Sequence, residues 1–130
     1  MLTLKLEITQ AMPDLSALAQ AEMARIVVKT ALDIEAGAKT AIQSSPASGR
    51  VYGSHRASAP GEAPATDTGN LAGSIQAVSA GPLTWEVQVS AEYAETLELG
   101  GVHVAARPFL SPAVEAVRPG FEAAVSQAVK

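Results

Sequence analysis

"SIQAVSAGPLTWEVQVSA", residues 74–91, sets two runs of alternating apolar and polar residues on either side of a Gly81-Pro82 pair. In the second run Trp85, Val87 and Val89 alternate with Glu86, Gln88 and Ser90. A period of two with a turn signal between the runs predicts a hairpin with one face wet and one buried. Residues 2–9, "LTLKLEIT", show the same alternation, with Leu2, Leu4, Leu6 and Ile8 on one side and Thr3, Lys5, Glu7 and Thr9 on the other. A third strand is therefore available to the same sheet.

Between these strands the period changes. Ala19, Met23, Ile26, Val27, Thr30, Ala31, Ile34, Ala38, Ala41 and Ile42 recur at i, i+3 and i+4, the signature of one long amphipathic helix. Pro13 and Asp14 suit its first turn. Glu22, Arg25, Lys29 and Asp33 fall on the opposite face, and Lys29–Asp33 and Glu35–Lys39 stand in i, i+4 register. After the hairpin, "EYAETLELGG" (92–101) predicts a short helix closed by Gly100. "VHVAARPFL" (102–110) is an extended connector, and Ser111-Pro112 opens a final helix. Val114, Val117, Phe121, Ala124, Val125 and Ala128 keep phase through that helix, but Pro119 removes one backbone donor and is expected to kink or split it. The expected fold is α+β: a small antiparallel sheet packed against one long N-terminal helix, with a short helix and a C-terminal helix, in a single domain over 1–130.

One segment does not fit a packed domain. Of the 27 residues from Ser44 to Asn70, 19 are Gly, Pro, Ser, Ala or Thr. Ordering them costs about 25 kcal/mol of backbone entropy, which would need roughly 1,000 Å² of apolar burial to offset. The side chains of the segment cannot supply that within a monomer. The reading is a flexible central loop, ordered only against neighbouring molecules. "DTGNLAGSI" (67–75) then restores order, with Asp67 or Thr68 placed to cap a short turn that presents Leu71 and Ile75.

Composition narrows the function classes. The 130-residue chain is 48% hydrophobic but only 4% aromatic, carries a net charge of −4, and has no cysteine. That removes disulfides and thiolate chemistry, and disfavours a free-standing nucleic-acid binder. No apolar run reaches the ~20 residues that span a bilayer, and no signal leader opens the chain, so the expectation is a soluble protein with no membrane partner. No phosphate loop, dinucleotide fingerprint or nucleophile elbow occurs. His55 and His103 stand in separate loops without a second ligand at metal spacing. The absence of a catalytic set, with the alanine-rich helix face and the small-residue loop, points to assembly rather than catalysis, and no metal is expected. The rival within catalysis is an unrecognised enzyme built on Glu92, Glu95 or His103, which requires those groups in mutual hydrogen-bond reach.

Three blocks carry a resemblance. "SAPGEAPATDTGNLAGSI" (58–75), "EYAETLELGG" and "AARPFLSPAVEAV" (105–117) resemble, in this order, the neck or tail-completion proteins of long-tailed bacteriophages, often labelled minor tail components or head–tail joining proteins. The matching positions are Ala59 to Glu62, Pro64, Thr68, Gly69, Leu71, Ser74 and Ile75; then Tyr93, Ala94, Leu97, Glu98 and Gly100; then Arg107 to Leu110, Pro112 and Ala113. With the N-terminal strand and helix in the same order, the resemblance covers nearly the whole chain. Departures are Leu99 where an aromatic is common, Gly101 in place of a small hydroxyl residue, and Pro119-Gly120 in a helix usually continuous.

The resemblance implies a non-enzymatic structural virion protein that needs no cofactor, made in the host cytoplasm. It would form a homo-oligomeric ring between the head connector or adaptor and the tail-terminator or tail-tube proteins; six and twelve copies both fit tail and portal symmetry, as does a monomer that assembles only on its partner. DNA would pass through the lumen without sequence-specific binding. Alternatives are a tail-terminator ring capping the tail tube, or a small non-viral binding module that dimerises. Under the ring reading, Arg50, Tyr52, Arg56, Leu71, Ile75, Tyr93, Leu97, Arg107, Phe109 and Leu110 are the subunit or partner contacts. Tyr93 and Phe109 lead because aromatics concentrate in interfaces. Monomer core is the competing role for Leu71, Ile75, Tyr93, Leu97, Phe109 and Leu110. Glu92, Glu95 and Glu98, spaced every third residue, are candidates for a lumen wall that repels DNA phosphates.

Overall fold

A computed structural model describes residues 2–8, 17–45, 49, 51–52, 55–56, 70–102 and 105–128. The elements run β1 (Leu2–Glu7), α1 (Ala17–Gln43), β2 (Val51–Tyr52), β3 (His55–Arg56), α2 (Asn70–Gly73), β4 (Ile75–Gly81), β5 (Thr84–Val89), α3 (Ala94–Leu99) and α4 (Leu110–Ala128). This is the expected α+β arrangement. β1, β5 and β4 form an antiparallel sheet in that order, so the N-terminal strand pairs with the second strand of the hairpin.

Register explains which face is dry. Leu2, Leu4 and Leu6 lie opposite Val89, Val87 and Trp85, and Ile75 and Ala77 lie opposite Val89 and Val87 from the other side. These residues make one apolar face, with Val87, Val89 and Ile75 fully buried at its centre. Thr3, Lys5 and Glu7 face solvent on the other side, where Lys5 lies opposite Glu86. Pro82 and Leu83 make the tip of the hairpin, and a bulge between Ser79 and Gly81 absorbs an extra residue beside it.

Helix α1, 27 residues and about 40 Å long, packs on β4, β5 and α4. Its buried residues Met23, Val27, Thr30, Ala31, Ile34, Ala38 and Ile42 are the core of the predicted stripe. Gly37 and Ala113 are where α1 and α4 approach closely: a Cβ on Gly37 would stand 3.4 Å from that of Ala113. Of the two predicted ion pairs, Lys29–Asp33 forms at 2.8 Å. Glu35 turns elsewhere, its Oε1 accepting the Ala77 N–H of β4 at 2.9 Å.

Three expectations need correction. α4 is one helix from Leu110 to Ala128 and is not split at Pro119. Pro119 sits on the exposed side, where water can satisfy the carbonyl that loses its donor. The 44–70 segment is not wholly without structure, since Val51–Tyr52 pairs antiparallel with His55–Arg56. The remainder of the flexible-loop expectation, and those for Pro13, Asp14, Asp67 and Thr68, fall outside the described residues. Finally, Phe109 is no surface aromatic: it is 0% exposed, the largest fully buried side chain, in one cluster with Leu71, Ile75 and Leu110. These four residues belong to the monomer core rather than to a free contact surface. Phe109→Ala should therefore cost about 3–5 kcal/mol of monomer stability in a denaturant melt, rather than only weaken association.

Candidate functional site

The second and third sequence blocks meet around one carboxylate. Glu98 occupies the last turn of α3, and its side chain turns inward to the start of α4. Oε2 accepts the backbone N–H of Phe109 at 2.8 Å and of Leu110 at 3.0 Å, and Oε1 accepts that of Ser111 at 2.6 Å. The Ser111 hydroxyl donates to Oε1 as well. The first N–H groups of any helix lack intrahelical partners, and a local Ser, Thr, Asp or Asn side chain usually serves one of them. Here the residue preceding the helix is Phe109, which has no acceptor. A glutamate twelve residues upstream does the work, and its negative charge also meets the positive end of the helix dipole.

Glu98 is 7% exposed. Burial alone would push its carboxyl up. The hydrogen bonds from the Ser111 hydroxyl and from the N–H groups of Leu110, Phe109 and Ser111 outweigh that, and hold it below the ordinary value. Four donors converge on two oxygens, an arrangement that the carboxylate satisfies better than the protonated acid, which favours the ionised form although the group is out of water.

The backbone on either side keeps Glu98 in place. Gly100 adopts φ 81°, ψ 167°, a region essentially reserved for glycine, and its N–H bonds to the Thr96 carbonyl at 2.7 Å. The chain leaves α3 there and returns at Arg107, whose N–H donates to the Leu97 carbonyl at 2.6 Å. Leu71 and Ile75, from the end of the first block, lie in the same core as Ala94, Phe109, Leu110 and Ala113, with Leu97 packed against it. The described end of the first block and the second and third blocks thus share one core.

The other site candidates divide. Glu92 and Glu95 are exposed, but Glu98 faces inward, which corrects the reading of all three as one lumen-facing row. The threefold spacing misleads because Glu92 precedes the helix and because Glu98, in the last turn of α3, is covered by the returning chain at the start of α4, whereas Glu95 one turn earlier is not. Tyr93 is 49% exposed and remains available as a contact. Arg107 is half-buried, its Nη1 donating to the Ala105 carbonyl at 3.0 Å. Arg50 and His103 lie outside the described residues, and of Tyr52 and Arg56 only the backbone is described. Four exposed apolar residues were not singled out from the sequence as contacts: Leu18 at 82% and Leu32 at 46% on α1, and Leu99 at 68% and Val102 at 95% on either side of Gly100-Gly101. With Tyr93, the last two put three exposed side chains in or beside α3.

A cleft of about 290 Å³ separates α1 from the second half of α4. Ile26, Val117, Phe121 and Ala124 line it, with the Lys29–Asp33 pair among its polar groups. Among the described residues no group of three His, Cys, Asp or Glu could hold a metal ion. No helix of the described residues is long and apolar enough to cross a membrane. No family model, curated protein or solved structure matches the chain.

Two variants test the Glu98 arrangement. Because its pKa is lower in the folded than in the unfolded chain, Glu98 stabilises fully above the ordinary carboxylate range, and that contribution disappears as pH falls through it. Glu98→Gln should cost about 3 kcal/mol at neutral pH, and the gap from the parent should narrow below about pH 4 in urea melts. Gly100→Ala should cost about 1–3 kcal/mol at every pH, since its effect is backbone strain.

Proposed function

We propose that the chain is a structural protein of the bacteriophage neck, which completes the tail at the head connector as a ring of identical subunits around the DNA channel. One observation carries the reading. The blocks that resemble tail-completion proteins are separated in sequence, yet they supply the Glu98 clamp and the core beneath it. Motif positions that build a shared substructure are what a common fold requires, whereas a chance resemblance carries no such demand. Tyr93, Leu99 and Val102 support it further, because apolar surface beside a rigid clamp favours contact with another protein.

In this reading the clamp fixes the α3–α4 junction, and the exposed α3 segment makes subunit or connector contacts. Glu92 and Glu95 are the acidic residues left to face the lumen, where repulsion of phosphates would let DNA slide. The reaction to be expected is assembly, with no bond made or broken.

Disruption of the gene in the phage or prophage that carries it tests the proposal. DNA-filled heads and separate, finished tails should accumulate, and the parent virion should contain the chain by mass spectrometry. Tails of abnormal length would move the protein to the tail-terminator position. Infectious particles that form normally without it would overturn the neck assignment.

A further inference from the structure

The sheet has two edges, and they are not equivalent. The Ile8 N–H bonds to the Leu83 carbonyl, which places the even-numbered residues of β1 in the ladder with β5. Thr3, Lys5 and Glu7 therefore turn their backbone N–H and C=O groups outward. The Ser90 N–H bonds to the Ser74 carbonyl, so on the opposite edge Ile75, Ala77 and Ser79 turn outward. That edge is blocked at its centre, where Glu35 of α1 takes the Ala77 N–H. No described residue does the same for β1.

Among the described residues this six-residue edge is unpaired, and such an edge is a template for another strand. We propose that β1 pairs antiparallel with β1 of a second copy of this chain, across a two-fold axis at Leu6, to give a continuous six-stranded sheet. Charge selects this register. Only odd-numbered residues can exchange backbone bonds across the open edge. With the axis at Leu6, Lys5 of each chain stands opposite Glu7 of the other, a favourable cross-strand pair formed twice. With the axis at Lys5, two lysines would face one another, which is destabilising. Lys5 and Glu7 already form an ion pair within the strand at 3.3 Å, so the dimer would hold four alternating charges on its wet face. On the other face Leu6 meets Leu6 and Leu4 meets Ile8, continuing an apolar row that is only half-buried in the single chain. Lysine on an edge usually discourages pairing. Here it disfavours the Lys5-centred register, and the Leu4-centred register, which would set Lys5 opposite Thr3, gains no cross-strand ion pair, so the Leu6-centred pairing is the one that charge favours.

The pairing does not rest on the neck assignment, since it uses the edge of the sheet and none of the α3 segment. Because the chain contains no cysteine, disulfide trapping reads the register directly. Opposed residues at a non-hydrogen-bonded position have Cα atoms ~4.5 Å apart, within disulfide reach. Under mild oxidation Leu6→Cys should form the covalent dimer about tenfold faster or more than Leu4→Cys, whose partner would be too distant. Light scattering of the parent should give twice the 13.3 kDa chain mass. Lys5→Glu should raise the dimer dissociation constant about tenfold, and Lys5→Glu/Glu7→Lys should restore it. Equal trapping at positions 4 and 6, or a monomer at every concentration, would overturn the dimer. A larger ring whose mass is unchanged by Lys5→Glu would also overturn it, while leaving the neck assignment intact.

Discussion

A buried carboxylate that accepts four hydrogen bonds decides how the C-terminal half of this molecule is built. Helix α4 is preceded by a phenylalanine that enters the core, so the position usually given to a capping side chain is used for burial. The helix would then start with unsatisfied N–H groups in an apolar setting, each costing about 1–3 kcal/mol. Glu98 resolves the conflict by reaching across from α3. The arrangement works only while the carboxylate is charged and α3 is held at the right height. That second condition explains the glycine at 100 and the backbone bond from Arg107 to Leu97. Charge, backbone conformation and core packing are here one constraint.

The same logic appears at the sheet. Glu35 leaves the i, i+4 pairing that its helix offers and serves the outward N–H of Ala77 instead. An exposed salt bridge is worth a few tenths of a kcal/mol, whereas a charge-assisted hydrogen bond to a partly buried amide is worth more. Helix α1 therefore does more than cover the apolar face. It blocks one edge of the sheet and, among the described residues, leaves the other unpaired, so the sheet can be extended on one side only.

Much of the fold was legible because it is local. Alternation in residues 2–9 and 84–91 and the i, i+3, i+4 stripe from Met23 to Ile42 each follow from one element meeting one core. What was not legible is long-range. Glu98 lies in a run of glutamates with ordinary spacing, and its acceptor role depends on a turn at Gly100 and a return at Phe109, which no periodicity encodes. The nearest signal was an absence, a helix start with no local cap. Phe109 misled for a related reason: an aromatic in a Pro-rich connector suggests an interface, until the connector folds over the core. Pro119 misled because helix interruption depends on which face the proline occupies, and here that face is wet.

The division of labour among the three sequence blocks follows from these facts. Leu71, Ile75, Phe109 and Leu110 are consumed by the monomer, so they cannot also be the surface on which an assembly is built. Their motif positions must instead matter for posture: they set the clamp, and the clamp sets the α3 segment that carries Tyr93, Leu99 and Val102. A ring needs its contact residues in nearly the same geometry in every subunit, because small angular errors accumulate around a closed circle. A junction fixed by charge and by a glycine-only backbone turn tolerates little variation. That rigidity is costly to build for a chain this small, and it is more readily understood in a protein that must repeat itself than in one that acts alone.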